Sequence, residues 1–169
     1  MSIDVSQALR TEGTAYPFGE ELDLGVIPFE TGDFRTDGIT KIEGELTAMD
    51  GEIFAKGEIT TTLSRLCDRC GEGYTRTYVL SFEETFTGNH EDDDSDNYSF
   101  ENEEIDFERM VQDCIVLQTP TASLCSDGCR GLCPICGVNL NSAQCNCVAN
   151  DQIGPFGVLA GFVDRDKED

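Results

Sequence analysis

The stretch of sequence that decides the fold reads Glu52-Ile-Phe-Ala-Lys-Gly-Glu-Ile-Thr-Thr-Thr-Leu-Ser-Arg-Leu66, then Cys67-Asp-Arg-Cys-Gly71, then Tyr74-Thr-Arg-Thr-Tyr-Val-Leu-Ser-Phe-Glu-Glu-Thr-Phe86. Alternation of apolar and polar side chains in the first part is typical of a half-buried β-strand. Its inward face is predicted to carry Ile53, Ala55, Ile59, Thr61 and Leu63. The last part predicts a second strand with Tyr74, Tyr78, Leu80, Phe82 and Phe86 on one face. The first cysteine pair therefore lies at the tip of a predicted hairpin.

The flanking sequence predicts another hairpin before this one and a helix after it. Residues 39–49 favour a strand, and Asp50-Gly51 suits a tight turn into the next strand. Asp106 can cap a helix that Pro120 stops. Its predicted apolar face consists of Phe107, Met110, Val111 and Cys114, extended by Val116 and Leu117. We predict an α+β fold in which one helix packs on an antiparallel sheet.

Length, net charge and the distribution of apolar residues limit the classes of protein to which the chain can belong. The 169 residues include 34 acidic and 11 basic side chains, and the formal net charge is −23. A chain of this length fits one domain, or one domain with a small appendage. No run approaches the roughly 18 to 20 apolar residues of a membrane span, and the first residues do not resemble a signal peptide. We expect no membrane partner and a cytoplasmic location, where thiols stay reduced.

Changes in composition predict three regions. Residues 1–120 are expected to form the α+β domain, and residues 121–150 a cysteine-rich segment packed on it. Residues 151–169 add a short apolar patch and a charged tail. Within the first region, the acid-rich stretch 88–104 buries too little apolar surface to repay its ordering, so we predict a mobile loop there.

Eight of the nine cysteines form close pairs. The exception, Cys114, lies on the predicted apolar helix face and is interpreted as a small buried hydrophobe. The pairs are Cys67 with Cys70, Cys125 with Cys129, Cys133 with Cys136, and Cys145 with Cys147. Eight thiolates suffice for two tetrahedral zinc sites, so we predict a zinc-stabilised C-terminal segment that holds two ions.

The spacing leaves the grouping of these pairs open. In the first scheme the pairs at 133/136 and 145/147 form a local site, and those at 67/70 and 125/129 clip the C-terminal segment to the sheet. In the second scheme the pairs at 125/129 and 133/136 share an ion, and those at 67/70 and 145/147 share the other. The first scheme is favoured because one of its sites is compact in sequence.

Thiol redox chemistry, metal relay and iron–sulfur binding are alternatives to a zinc site for these cysteines. CxxC pairs also occur in thiol redox and metal-relay proteins, and four thiolates can hold an iron–sulfur cluster. The first CxxC lies between strands, however, and no βαβ pattern surrounds either one. No nucleotide-binding loop or hydrolase motif occurs, and the single histidine, His90, lies in the acidic stretch. We therefore expect a protein that is not an enzyme.

Four arginines are candidates for contact with RNA. Arg65, Arg69 and Arg76 surround the first cysteine pair, and Arg130 follows Cys129. A guanidinium on an exposed turn suits bidentate phosphate contact. The strong negative charge opposes non-specific binding to nucleic acid, so any RNA contact must be local.

Three motifs together resemble the YceD family, also called large ribosomal RNA subunit accumulation proteins. They are Leu66-Cys-Asp-Arg-Cys-Gly71, the helix at 105–120, and Cys129-Arg-Gly-Leu-Cys-Pro-Ile-Cys-Gly-Val-Asn-Leu-Asn141 with Cys145-Asn-Cys147. The closing Pro155-Phe-Gly-Val-Leu-Ala160 also resembles the family's C-terminal pattern. The resemblance covers about residues 35 to 163.

The resemblance implies a bacterial or organellar protein needed for normal accumulation of large-subunit ribosomal RNA, without a catalytic reaction. It also implies metal binding. We expect the partner to be large-subunit rRNA or its precursor, contacted through the arginines, or a basic ribosomal or assembly protein held by the acidic surface.

Overall fold

The computed structural model of the chain describes residues 2–28, 33–88 and 98–147. The chain divides into two compact units. The sheet unit comprises Met1–Asp68 and Glu72–Cys125, and the cysteine unit comprises Arg69–Gly71 and Ser126–Asp169. The division thus follows Cys125 rather than residue 120, and the hairpin tip Arg69–Gly71 belongs to the cysteine unit. The apolar patch and tail expected at 151–169 lie outside the described residues.

The sheet unit contains every helix and strand of the described residues. In chain order these are β1 (Ser2–Asp4), α1 (Ser6–Arg10), β2 (Ala15–Leu22), β3 (Val26–Ile27), β4 (Phe34–Thr36), β5 (Thr40–Met49), β6 (Glu52–Leu66), β7 (Gly73–Thr87), β8 (Tyr98–Ser99), β9 (Glu104–Asp106) and α2 (Glu108–Gln118). The predicted α+β class is confirmed, with the short helix α1 in addition to the expected one. None of the described helices combines the length and apolar character that crossing a bilayer requires.

Strand β6 is the centre of a seven-stranded sheet. One of its edges pairs first with β5 and then with β4, and its other edge pairs with β7 along almost its whole length. Strand β2 extends the sheet beyond β5, and β3 extends it beyond β4. These pairings are antiparallel, whereas β8 lies parallel to β7. Strands β1 and β9 form a separate antiparallel pair.

Both predicted hairpins are confirmed. Asp50 and Gly51 join β5 to β6 with positive φ angles of 54° and 80°, the conformation that a two-residue turn needs. The predicted inward residues of β6 are buried, as are Leu80, Phe82 and Phe86 of β7. The alternation in sequence therefore located the core face of both long strands.

An aromatic cluster fills the core above two glycines. Across four neighbouring strands the register places Phe18 opposite Gly44, Gly44 opposite Gly57, and Gly57 opposite Phe82. The rings of Phe18 and Phe82 meet edge to face with centroids 6.4 Å apart. Phe18 also stacks on Phe107, at 4.9 Å. Neither glycine has room for a Cβ atom, because that atom would meet the backbone of the opposite strand.

Helix α2 packs as predicted except at its end. Asp106 accepts the N–H of Glu108 at 2.9 Å, although Phe107 is the residue at the helix boundary. The predicted face is buried, and it includes Cys114, which is 5% exposed and lies in the core. The prediction that Leu117 extends this face is wrong, because Leu117 is 81% exposed. Ile115, two turns beyond Phe107, takes that place.

The structure describes only part of the stretch that is predicted to be one mobile loop. Of residues 88–104, positions 89–97 lie outside the described residues. Strand β8 then pairs with β7, and Phe100 is buried, with its N–H bonded to the carbonyl of Thr87 at 3.0 Å. Tyr98 and Phe100 supply apolar surface that the acidic composition of the stretch conceals, so its end packs on the sheet.

Candidate metal centre

The eight paired cysteines form two tetrads. The first comprises Cys67, Cys70, Cys125 and Cys129, and the second comprises Cys133, Cys136, Cys145 and Cys147. Within each tetrad the sulfur atoms all lie within 4.8 Å of one another. This grouping matches the first of the two pairing schemes considered from the sequence.

In the sheet unit, a reciprocal pair of hydrogen bonds fixes the backbone beside the first tetrad. The N–H of Asp68 donates to the carbonyl of Ser123 at 2.7 Å, and the N–H of Ser123 donates to Oδ2 of Asp68 at 2.6 Å. Cys67 closes the hairpin end through its N–H to the carbonyl of Glu72, at 2.9 Å. The segment that leads to Cys125 is therefore held against the hairpin end that carries Cys67.

In the cysteine unit, a tight turn presents the second tetrad. The N–H of Gly137 donates to the carbonyl of Cys133 at 2.9 Å, and Cys133 donates to the carbonyl of Val138 at 2.8 Å. Gly137 has a positive φ of 73°, which a residue with a side chain rarely adopts. The Cys-Pro-Ile-Cys-Gly turn thus has the conformation expected of a zinc knuckle.

The turn also polarises its first thiol. Backbone N–H groups of Cys136 and Ile135 point at the Cys133 sulfur and lower the pKa of that thiol to about 6. In contrast, hydrogen bonding to Cys136 and burial raise the pKa of Cys147 to about 12. The tetrad therefore favours a thiolate at Cys133 first, and a cation must offset the repulsion before all four sulfurs ionise.

The four candidate arginines bind backbone carbonyls. In the sheet unit, Arg65 donates to Pro120 and Arg76 donates to Leu124, both at 3.1 Å. In the cysteine unit, Arg69 donates to Cys129 at 3.1 Å and Arg130 to Asn141 at 3.4 Å. Arg65 also lies over the ring of Phe34, and Arg76 over that of Tyr74. These contacts secure the chain next to the cysteines, a role that the sequence did not predict.

Sequence reasoning missed Asn141 as a site residue. Its side-chain amide donates to the sulfur of Cys129 at 3.3 Å, so it touches a thiol of the first tetrad directly. The only sequence signal was its place in the Cys-Gly-Val-Asn-Leu-Asn stretch, where nothing about the spacing distinguishes a hydrogen-bond donor from an ordinary loop residue.

The residues present fit a bound metal. Four sulfurs around zinc, with bonds of about 2.3 Å, are separated by about 3.8 Å in a tetrahedron, which is within the spread of both tetrads. Ser123, two residues before Cys125, has a buried hydroxyl with no hydrogen-bond partner among the described residues. A buried hydroxyl of this kind can donate to a group that the chain itself does not supply. An all-thiolate set is typical of closed structural zinc sites.

Comparison with known proteins places these features in a family. The family model described as "Large ribosomal RNA subunit accumulation protein YceD" matches residues 55–163. The chain belongs to the YceD family. All eight cysteines of the two tetrads fall within the range matched by the YceD model, which begins inside β6.

Two curated plant proteins are similar to this YceD-family chain. Both are named "Large ribosomal RNA subunit accumulation protein YCED homolog 1, chloroplastic". The one from Arabidopsis thaliana is 27% identical over an alignment that is 137 residues long. This alignment takes in 63% of the present chain and 43% of the relative. The one from Zea mays is 36% identical over 56 residues, covering 32% and 19%. The chain thus spans less than half the length of these relatives. No solved structure matches it.

Proposed function

We propose that this chain is a non-enzymatic zinc-binding protein that supports the accumulation of large-subunit ribosomal RNA. The observation that carries the proposal is the match of a YceD-family model to a range that includes both thiol tetrads. The names of the family and of the two plant proteins supply the connection with ribosomal RNA.

The metal is proposed to be zinc, with one ion in each tetrad and a structural role. Tetrahedral all-sulfur coordination leaves no open position for a reacting water, unlike catalytic zinc. The residues that would hold the ions are the eight cysteines of the two tetrads. The bound ions would fix short turns that the chain's hydrogen bonds alone hold weakly, and would supply folding free energy.

We propose that the partner is a basic ribosomal or assembly protein rather than RNA contacted directly. The candidate RNA-binding arginines already bind backbone carbonyls. The solvent face of the sheet is acidic instead. Its exposed charged residues are Glu21, Glu43, Glu45, Glu58, Glu83, Lys41, Lys56 and, on β4, Arg35. The two lysines pair with Glu21 and Glu45, at 3.1 and 3.7 Å.

One pair of residues on that face makes a basic partner favourable. Glu43 and Glu58 lie directly opposite each other on β5 and β6. Like charges directly opposite each other destabilise a sheet. A lysine or arginine supplied by a partner would relieve this repulsion.

Substitution of Glu58 tests this partner. We expect Glu58→Lys to raise the unfolding midpoint slightly and to weaken binding to the cognate large-subunit protein, measured by titration against purified ribosomal proteins. Glu12→Lys, the same charge change at an exposed turn, is the matched control and should retain binding. Equal loss in both variants, or tight binding of large-subunit RNA fragments with no protein partner, would contradict the proposal.

The plant relatives are named chloroplastic, and the cytoplasmic location expected here stays a prediction.

A further inference from the structure

One side chain in the cysteine unit, that of Asn141, touches a sulfur of the first tetrad and lies in the loop between two ligands of the second. The amide nitrogen of Asn141 donates to the sulfur of Cys129 at 3.3 Å and to Oδ1 of Asn139 at 2.9 Å. Its carbonyl oxygen Oδ1 accepts the N–H of Arg130 at 2.8 Å. Both ends of the amide are thus engaged, which fixes the direction of the N–H toward the Cys129 sulfur.

The backbone of Asn141 depends on the turn that carries the second tetrad. Asn141 lies between Cys136 and Cys145 in sequence. The loop before it is anchored by a bridge between Leu132 and Asn139, and by the N–H of Leu140 to the carbonyl of Gly131 at 2.9 Å. The loop that carries Asn141 is thus fixed by its own backbone hydrogen bonds and is bounded on both sides by ligands of the second tetrad.

This hydrogen bond matters most when the sulfur is charged. Four thiolates around a divalent ion carry a net charge of about −2, and each N–H donated to a sulfur offsets part of that charge. Groups that bind a metal ligand from outside commonly change metal affinity by about 10- to 100-fold. Asn141 is exposed, so an effect near the lower limit is expected.

We propose that Asn141 is a positioning residue that couples the tetrads, so that loading of the second strengthens metal retention in the first. This inference rests on the metal binding put forward under Proposed function. An ion bound by Cys133, Cys136, Cys145 and Cys147 orders both ends of the loop that contains Asn141. The ordered loop holds the amide against Cys129.

The donor is tested with an isosteric variant. Asn141→Asp keeps an oxygen for the N–H of Arg130 but has no N–H to donate to Cys129. We expect metal retention in the first tetrad to fall about 10-fold in chelator competition. Alkylation followed by peptide mapping shows which tetrad has lost its metal, because Cys125 of the first tetrad should react before Cys145 of the second. With Co²⁺ as the probe, the sulfur-to-metal charge-transfer band of the first site should move to longer wavelength, because its sulfur loses a hydrogen bond. Gln144→Ala, exposed in the same loop, should change neither readout.

The coupling is tested with a double-mutant cycle. Cys147→Ser, which removes one thiol of the second tetrad, should weaken Zn²⁺ retention in the first tetrad in the wild-type background. It should weaken retention much less in the Asn141→Asp background. Additive losses, or an unchanged cobalt spectrum in Asn141→Asp, would overturn the inference. A wild-type protein that binds no metal would instead overturn the proposed function, so the two failures are distinguishable.

Discussion

At the scale of single residues, the core depends on two glycines that face each other across β5 and β6. A Cβ atom on Gly57 would lie 2.1 Å from the carbonyl oxygen of Glu43 and 2.7 Å from the Cα of Gly44. These neighbours are backbone atoms and cannot move without breaking the strand pairing. The glycine pair is therefore a requirement of the fold at this position.

We predict that Gly57→Ala destabilises the protein by about 3 kcal/mol or more, because the added methyl group forces the strands apart under the aromatic rings. Urea denaturation of the zinc-loaded protein measures the change. Gly19→Ala is the matched control, since its Cβ would meet no atom closer than 3.8 Å. A loss below 1 kcal/mol in Gly57→Ala would contradict this account of the core.

A second prediction concerns Cys114 and alkaline pH. Burial, followed by the charges of Glu84 and Asp113, raises the pKa of Cys114 to about 11, from an ordinary value of 9.0. The unfolded chain therefore loses this proton more readily than the folded one, and stability falls as the pH rises from about 9 to about 11. Below pH 9 the thiol is protonated in both states and has no effect.

Unfolding free energy measured against pH tests this prediction. Cys114→Ala should show a shallower fall between pH 9 and 11 than the wild type, whatever its stability at pH 7. Tyr98→Phe provides a control below pH 10: burial and the hydrogen bond to Asp113 raise the pKa of Tyr98 from its ordinary value of 10.0, so its own share of the fall begins only above pH 10, and this variant should keep the wild-type slope between pH 9 and 10. Identical slopes in the wild type and Cys114→Ala would show that the thiol is not buried as described.

At the scale of elements, the end of the β6–β7 hairpin holds the segment that follows α2. Arg65 and Arg76 donate to the carbonyls of Pro120 and Leu124, and Asp68 exchanges two hydrogen bonds with Ser123. All these contacts lie within the sheet unit. They explain why three charged residues cluster near the first cysteine pair without requiring a nucleic acid.

We predict that Arg76→Ala lowers the unfolding free energy by about 1 to 2 kcal/mol, because the carbonyl of Leu124 loses a charged donor. Arg35→Ala, which removes an exposed arginine of β4, is the control and should change stability by less than about 0.5 kcal/mol. If Arg76→Ala instead left stability unchanged and weakened binding to large-subunit RNA, direct RNA contact would replace the structural role.

Local patterns predicted some elements and could not predict others. The Asp50-Gly51 turn and the alternation along β6 and β7 act between neighbouring residues, so the sequence revealed both hairpins. Strands β1 and β9 pair residues about a hundred positions apart, as in Ser2 with Asp106, and each is too short to show a period. Leu117 was misplaced because two apolar residues in succession fit more than one helical face.

At the scale of the whole molecule, we propose that two four-thiolate zinc sites stabilise the cysteine-rich segment of this acidic YceD-family protein. The spacing of the cysteines predicted which of them are metal ligands. It left two groupings open, because both groupings keep the four closely spaced pairs intact. The hydrogen bonds of Asp68, Ser123 and Asn141 depend on the folded backbone and have no local signature. Sequence therefore predicted the ligand types, and the structure supplied their grouping and supports.

Native mass spectrometry of the freshly purified protein, combined with counting of alkylatable thiols, tests this claim most directly. The account predicts two zinc ions per chain, with all eight paired cysteines protected and Cys114 unreactive in the folded protein because it is buried. A well-folded protein that carries no metal and has reactive or oxidised cysteine pairs would contradict the account and favour a thiol redox protein.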